Sequence, residues 1–315
     1  MVTEALAVAG VGLRIGSATA FVGRSDPWYL PFIVEDGFPA GCTSAIDVEV
    51  ATSPFPPCDA PLLFDGGIAW TMQPEDTGYR LCFRRGERLT PGEARSVHTV
   101  ACSDDPTTHV KVYAEQDVEP LSARPGRLTN PVRYPLDQLL LMNHLASRGG
   151  VIVHAAGVVM GGGALAFPGV SGAGKSTLAR LMLDAGWADS LLSDDRMILR
   201  AAREGDVDNE ADVVAWGTPW PSDARVARNA CAPLSGLLFL VKSEQNELVP
   251  LTPSEATRRL MPVVTCPWYD AERLPGVLDT CAQIVESTPC YEMRFRPDQE
   301  AVALLAEWAH ENEDG

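Results

Sequence analysis

Lys175 and Ser176 close the run Gly169-Val170-Ser171-Gly172-Ala173-Gly174-Lys175-Ser176-Thr177, which fits the pattern G-x-x-x-x-G-K-[ST] at every fixed position. The chemistry this implies is phosphate binding. Small residues such as Gly169, Ser171, Gly172, Ala173 and Gly174 let backbone N–H groups turn inward at the start of a helix. There the unsatisfied amides and the positive end of the helix dipole favour an anion. Lys175 adds a point charge for the β- and γ-phosphates, and the Ser176 hydroxyl, followed by Thr177, is the expected ligand of Mg²⁺. The second candidate group is Asp194-Asp195, at the end of the run Ser190-Leu191-Leu192-Ser193 and roughly 20 residues beyond Lys175. A carboxylate at the end of a strand beside a phosphate loop can hold Mg²⁺ or take a proton from an acceptor hydroxyl. Neighbouring residues of an extended strand face opposite ways, so one Asp is expected at the nucleotide while the other braces the turn. The spacing does not say which. His154, in the run Val151-Ile152-Val153-His154-Ala155-Ala156, reads by itself as a satisfied core histidine.

The elements that would position these groups follow from periodicity. Ala164-Leu165-Ala166-Phe167 is expected to be the strand entering the loop, and Leu178, Leu181, Met182 and Ala185 recur at helical spacing after it, with Gly186 as the stop. Residues 151–160 are β-branched and predict a central strand, turned by Gly161-Gly162-Gly163 into the loop strand as a hairpin. Upstream, Leu136 to Leu145 predicts a buried helix with Pro135 in its first turn. Downstream, Val213 to Trp216 predicts a short strand and Gly217-Thr218-Pro219-Trp220-Pro221-Ser222 a rigid loop. The guanidinium groups of Arg225 and Arg228 after that loop suit phosphate or open surface equally. Leu237 to Val241 and Tyr291 to Phe295 predict strands, Thr252-Pro253-Ser254-Glu255 a capping box, and Asp298 to Ala309 an amphipathic helix.

The first third of the chain differs. Ile46 to Val50, Gly78 to Phe83 and Val110 to Tyr113 alternate as half-buried strands do, separated by Pro- and Gly-rich turns. An antiparallel β domain, or a β-rich layer against the nucleotide domain, is expected there, with Asp65, Glu75 and Asp76 as solvated acids near turns. The stretch Leu121 to Arg127 suits a linker, so two domains are expected: residues 1–127, β-rich and suited to substrate or partner recognition, and residues 128–315, α/β with a mixed sheet. A net charge of −17 argues against nucleic acid as partner. Eight cysteines without any C-x-x-C pair read as free thiols of a cytoplasmic protein rather than a disulfide or zinc framework. The N-terminal apolar run lacks a basic flank, which predicts a strand rather than a leader, and no run of 18 uncharged apolar residues predicts a membrane span.

Taken together, the strand with His154, the hairpin, the loop GVSGAGKST, the following helix and LLSDDR resemble the catalytic domain of HPr kinase/phosphorylase and its relatives. That family's fold is akin to phosphoenolpyruvate carboxykinase. The similarity is concentrated in residues 151–200. The resemblance implies a P-loop fold using ATP and Mg²⁺, with Lys175 and Ser176 serving the nucleotide, His154 beside the reacting phosphate and Asp195 as base toward a seryl hydroxyl. The first third does not look like the family's regulatory domain, and its Glu-containing, Gly-rich signature is missing after the Asp pair. The chain is thus nearer to the HPr-kinase-like proteins of peptide-modification cassettes. A kinase acting on a serine of a peptide or small protein is the expectation, and such kinases are often homo-oligomers. A small-molecule kinase similar to adenylylsulfate kinase, and a non-catalytic partner gated by ATP, are the alternatives.

Overall fold

In the first third of the chain, apolar and polar residues alternate because each strand buries one face. Ile46, Val48 and Val50 are buried while Asp47 and Glu49 face solvent. The computed structural model describes residues 2–21, 26–35, 37–39, 41–66, 69–75, 78–84, 97–105, 107–115, 128–202 and 211–311. The expected linker at 121–127 and Asp76 lie outside them. By internal contacts the chain divides into two units interleaved in sequence. The first comprises Met1–Ala7, Val11–Arg24 and Ile33–His144; the second comprises Val8–Gly10, Ser25–Phe32 and Leu145–Gly315.

The first unit holds β1 (Val2–Val8), β2 (Val11–Ser17), β3 (Ile33–Val34), β4 (Ser44–Ala51), β5 (Phe64–Asp65), β6 (Trp70–Pro74), β7 (Tyr79–Arg84), β8 (Val97–Asp105) and β9 (His109–Ala114). They form one sheet in the order β3-β1-β2-β4-β9-β8-β7-β6-β5. The expectation of an antiparallel sheet is corrected: β2 runs parallel to β4, and β4 parallel to β9. Alternation reports which face a residue takes, not strand direction, and long connections return the chain to the same end. The helix α1 (Leu136–Ala146) is buried nearly all round, as its leucine run implies.

The second unit is mixed α/β. Its strands are β10 (Gly150–Met160), β11 (Gly163–Pro168), β12 (Leu191–Ser193), β13 (Arg196–Ala201), β14 (Val213–Trp216), β15 (Cys231–Lys242), β16 (Glu247–Pro250), β17 (Val264–Thr265) and β18 (Cys290–Phe295). Its helices are α2 (Lys175–Asp184), α3 (Pro253–Leu260), α4 (Leu274–Ser287) and α5 (Gln299–Glu311). β10 and β11 form the expected hairpin, with Ala155 opposite Pro168 and Met160 opposite Gly163. β11 also pairs in parallel with β15, and β15 in parallel with β18. Pairing β10–β13–β14–β15–β11 and back to β10 closes a ring of strands.

Helices cover both faces of this sheet. Val151, Val153 and Ala155 of β10 join a core with Ala256 and Leu260 of α3 and Val277, Cys281 and Ile284 of α4. Ala156 and Val158 turn to a second core with Leu178 and Met182 of α2 and Val302 and Leu305 of α5. Burying each large aliphatic side chain here stabilises the unit by roughly 1.5–3 kcal/mol. The capping box forms as expected: the Thr252 hydroxyl accepts from Glu255 N–H, and the Glu255 carboxylate accepts from Thr252 N–H. α4 has no counterpart in the sequence reading, because Pro275, Gly276 and its β-branched residues weaken the local helix signal. All eight cysteines are free. Among the described residues no helix is long and apolar enough to cross a membrane, and no cluster of three or more His, Cys, Asp or Glu suits a metal ion.

Candidate functional site

The site is built where β10, β11 and α2 meet. β11 ends at Pro168, the loop follows, and α2 starts at Lys175 with Gly174 as its N-terminal cap at φ 113°. That backbone conformation favours glycine, and a Cβ on Gly174 would lie 2.6 Å from the Phe295 ring. The loop therefore needs glycine there for two independent reasons. Its entry is tied to β10 by Gly169 N–H donating to the His154 carbonyl at 3.1 Å. His154 thus serves the loop through its main chain and the cavity through its ring.

A cavity of about 340 Å³ opens over this loop, within the range of small-molecule sites. The loop and α2 contribute Ser171, Gly172, Gly174, Lys175, Ser176 and Thr177 to its lining. Opposite stand His154 and Asp195. The remaining lining residues, Arg180, Ser222, Asp223 and Lys242, were not singled out as site residues from sequence. Arg180 lies four residues beyond Ser176 on the same helix face, a spacing that sequence reading could have used. Lys242 is the last residue of β15, paired in register with Phe295, whose ring packs on Gly174, so strand pairing between distant segments brings it to the loop. Gly169 and Ala173 are not among the lining residues: the Gly169 carbonyl accepts from Lys175, and Ala173 packs against the α2–α5 core.

Lys175 is buried, and its ammonium donates to the carbonyls of Gly169 at 2.6 Å and Val170 at 3.2 Å. Burial pulls its pKa down; Asp195 opposes that shift and Arg196 adds to it. Asp195 is the hub of the charged groups. His154 Nε2–H donates to its Oδ1 at 2.6 Å, and Arg196 donates to its Oδ2. His154 and Arg196 are directly opposite each other on β10 and β13, so the register of two strands delivers both donors to one carboxylate. Burial pushes the Asp195 carboxyl up, but the His154 hydrogen bond and the charges of Arg196, His154 and Lys175 outweigh it and hold it below the ordinary value of 3.8.

Asp194 is placed elsewhere. It is fully buried, is not among the cavity's lining residues, and its oxygens accept the backbone N–H groups of Ser222, Ala224 and Val226. The expectation that Asp194 catalyses or binds metal is therefore dropped, since it is fully buried and outside the cavity that Asp195 lines. The pair sits in a bend between β12 and β13 rather than on a strand, yet its members do face different ways. Arg225 and Arg228 do not line the cavity either. Arg225 is exposed and Arg228 is paired with Asp189 at 3.0 Å. Comparison with protein-family models and with curated protein sequences finds no match for this chain.

Proposed function

We propose that the chain is an ATP- and Mg²⁺-dependent kinase that transfers the γ-phosphoryl group to a hydroxyl, a serine of a peptide or small protein being the acceptor. The observation that carries this reading is Asp195, oriented by His154 and Arg196, in one cavity with Lys175 and Ser176. The glycine-dependent turn at Gly174 supports a phosphate cradle, because the first-turn amides of a helix have no intrahelical partner and Lys175, Ser176 and Thr177 of that turn line the cavity. A P-loop fold akin to phosphoenolpyruvate carboxykinase is supported by β11, its loop and α2 standing beside the parallel strands β15 and β18.

Bound Mg²⁺-ATP supplies the transferable phosphoryl group and the metal charge that neutralises it. The protein's own groups then divide the work. Ser176 is the hydroxyl that would hold the metal, and the loop amides with Lys175 would bind the phosphate oxygens. Lys175 has to release the Gly169 and Val170 carbonyls to do so. Asp195 accepts the hydrogen bond of the acceptor hydroxyl, orients its oxygen and takes its proton; the new O–P bond replaces the bond from the γ-phosphorus to the β–γ bridging oxygen, which leaves with ADP. A carboxylate this acidic is a weak base. It suits a loose transition state, in which the proton leaves late.

Lys175→Ala and Asp195→Asn test this with γ-labelled ATP and serine-containing peptides. Each is expected to lower transfer on the order of a hundredfold or more, the cost of removing one preorganised charge contact. Unchanged transfer in both variants would sink the assignment. ATP that binds but is neither hydrolysed nor transferred would favour the ATP-gated partner.

A further inference from the structure

A buried carboxylate solvated only by peptide groups fixes the backbone that supplies them. Asp194 Oδ1 accepts from Ser222 N–H at 3.1 Å and Val226 N–H at 3.2 Å, and Oδ2 from Ala224 N–H at 2.7 Å. Among the described residues it forms no ion pair, so these charge-assisted bonds alone compensate its burial. The same segment is stitched to β12 by the Ser193–Ala227 bridge and by Arg228 N–H donating to the Leu192 carbonyl at 3.2 Å. It therefore runs alongside the strand that delivers Asp195, and its Ser222 and Asp223 line the cavity.

We propose that Ser222–Val226 is the wall against which the acceptor docks, and that Asp194 is the positioning residue that sets this wall; the inference rests on the kinase reading. The phosphate contacts come from the loop and α2, whereas the acceptor oxygen has to lie within hydrogen-bond reach of Asp195. Ser222 and Asp223 of this segment line the same cavity as Asp195 and lie outside the phosphate loop and α2, which leaves them to the acceptor. The two adjacent carboxylates thus serve one step from opposite sides, Asp195 on the hydroxyl and Asp194 on the surface that holds its carrier. A displacement of about 1 Å in such a support can cost on the order of a hundredfold in rate.

The test uses the full chain, a fluorescent ATP analogue with Mg²⁺, γ-labelled ATP and a randomised pool of serine-containing peptides. Asp194→Asn turns an amide N–H₂ toward backbone donors. It is expected to speed hydrogen exchange at 222–226, to keep affinity for the ATP analogue within about twofold, and to lower transfer at least about tenfold. A Ser222→Ala, Asp223→Ala double variant leaves the Asp194 bonds in place and carries the test if Asp194→Asn does not fold. It is expected to raise the KM for peptide and not that for ATP. Loss of nucleotide affinity in step with transfer would put the segment on the nucleotide side and overturn the proposal. So would transfer equal to wild type in both variants. A wild-type protein that binds the ATP analogue but labels no peptide overturns the kinase reading itself, a different failure from a wild type that transfers and variants that match it.

Discussion

Asp195 is held ionised by its neighbours, and that has a measurable sign. Its pKa in the folded chain lies below the unfolded value of 3.8. The stability it contributes is therefore fully present above 3.8 and is lost as pH falls through the lower, folded value. The difference in unfolding free energy between the native chain and Asp195→Asn is expected to stay constant on acidification down to 3.8 and to shrink below it, as read by denaturant titration. Transfer is likewise expected to show no acid limb from Asp195 at or above 3.8; a limb there that disappears in Asp195→Asn would contradict the geometry. At this scale the phosphate loop was legible because each of its positions has a separate physical reason to be Gly, Lys or Ser. The roles within Asp194-Asp195 were not, because they depend on which way a bend turns and on amides 28 to 32 residues away. Arg196 had no role in the sequence, since it comes to share Asp195 with His154 only through the register of β10 and β13.

Elements show the same division between local and distant causes. The β10–β11 hairpin, α2 and the capped helix α3 follow from turn residues, periodicity and caps within a dozen residues. The parallel pairings β2–β4, β4–β9 and β11–β15 follow from no such window, and α4 was lost to its own weak propensities. Gly217, just beyond β14, shows how tightly these distant pieces fit. A Cβ there would lie 2.7 Å from the Leu192 carbonyl oxygen and closer still to that of Arg228. Both are backbone, so neither can swing aside. Gly217→Ala is expected to cost about 1–3 kcal/mol, a fall of roughly 2–10 °C in Tm, and to weaken transfer as well because it presses on the strand leading to Asp195. Thr252→Ala removes a cap far from the cavity in sequence and is the control. It is expected to cost about 1 kcal/mol in thermal unfolding and leave ATP-analogue binding unchanged.

For the molecule as a whole, charge is distributed against its average. The chain carries −17, yet the cavity sets Lys175, Arg180 and Lys242 against Asp195 and Asp223. Far from the protein an anionic nucleotide meets the average; close in, it meets the cavity. At low salt the Debye length is about 30 Å and the repulsion reaches out; at physiological salt it is about 8 Å. Association of Mg²⁺-ATP is therefore expected to speed up as ionic strength rises between those limits, the reverse of the usual steering effect, and stopped-flow binding of a fluorescent analogue reads it directly. A rate that falls with salt would mean the cavity field dominates at long range. The acidity was plain in the composition, but the local reversal was not, because Arg180 and Lys242 come from separate elements.

The interleaving of the two units also has a consequence in time. The Pro31 carbonyl, in the Ser25–Phe32 piece of the second unit, accepts a hydrogen bond from Asn229, 198 residues later in the chain. At synthesis rates of about 5–20 residues per second, that partner leaves the ribosome roughly 10–40 s after Pro31 does. The Pro31–Asn229 contact, within the second unit, cannot form before that interval has passed. The Ser25–Phe32 piece is thus made early and gains this contact late.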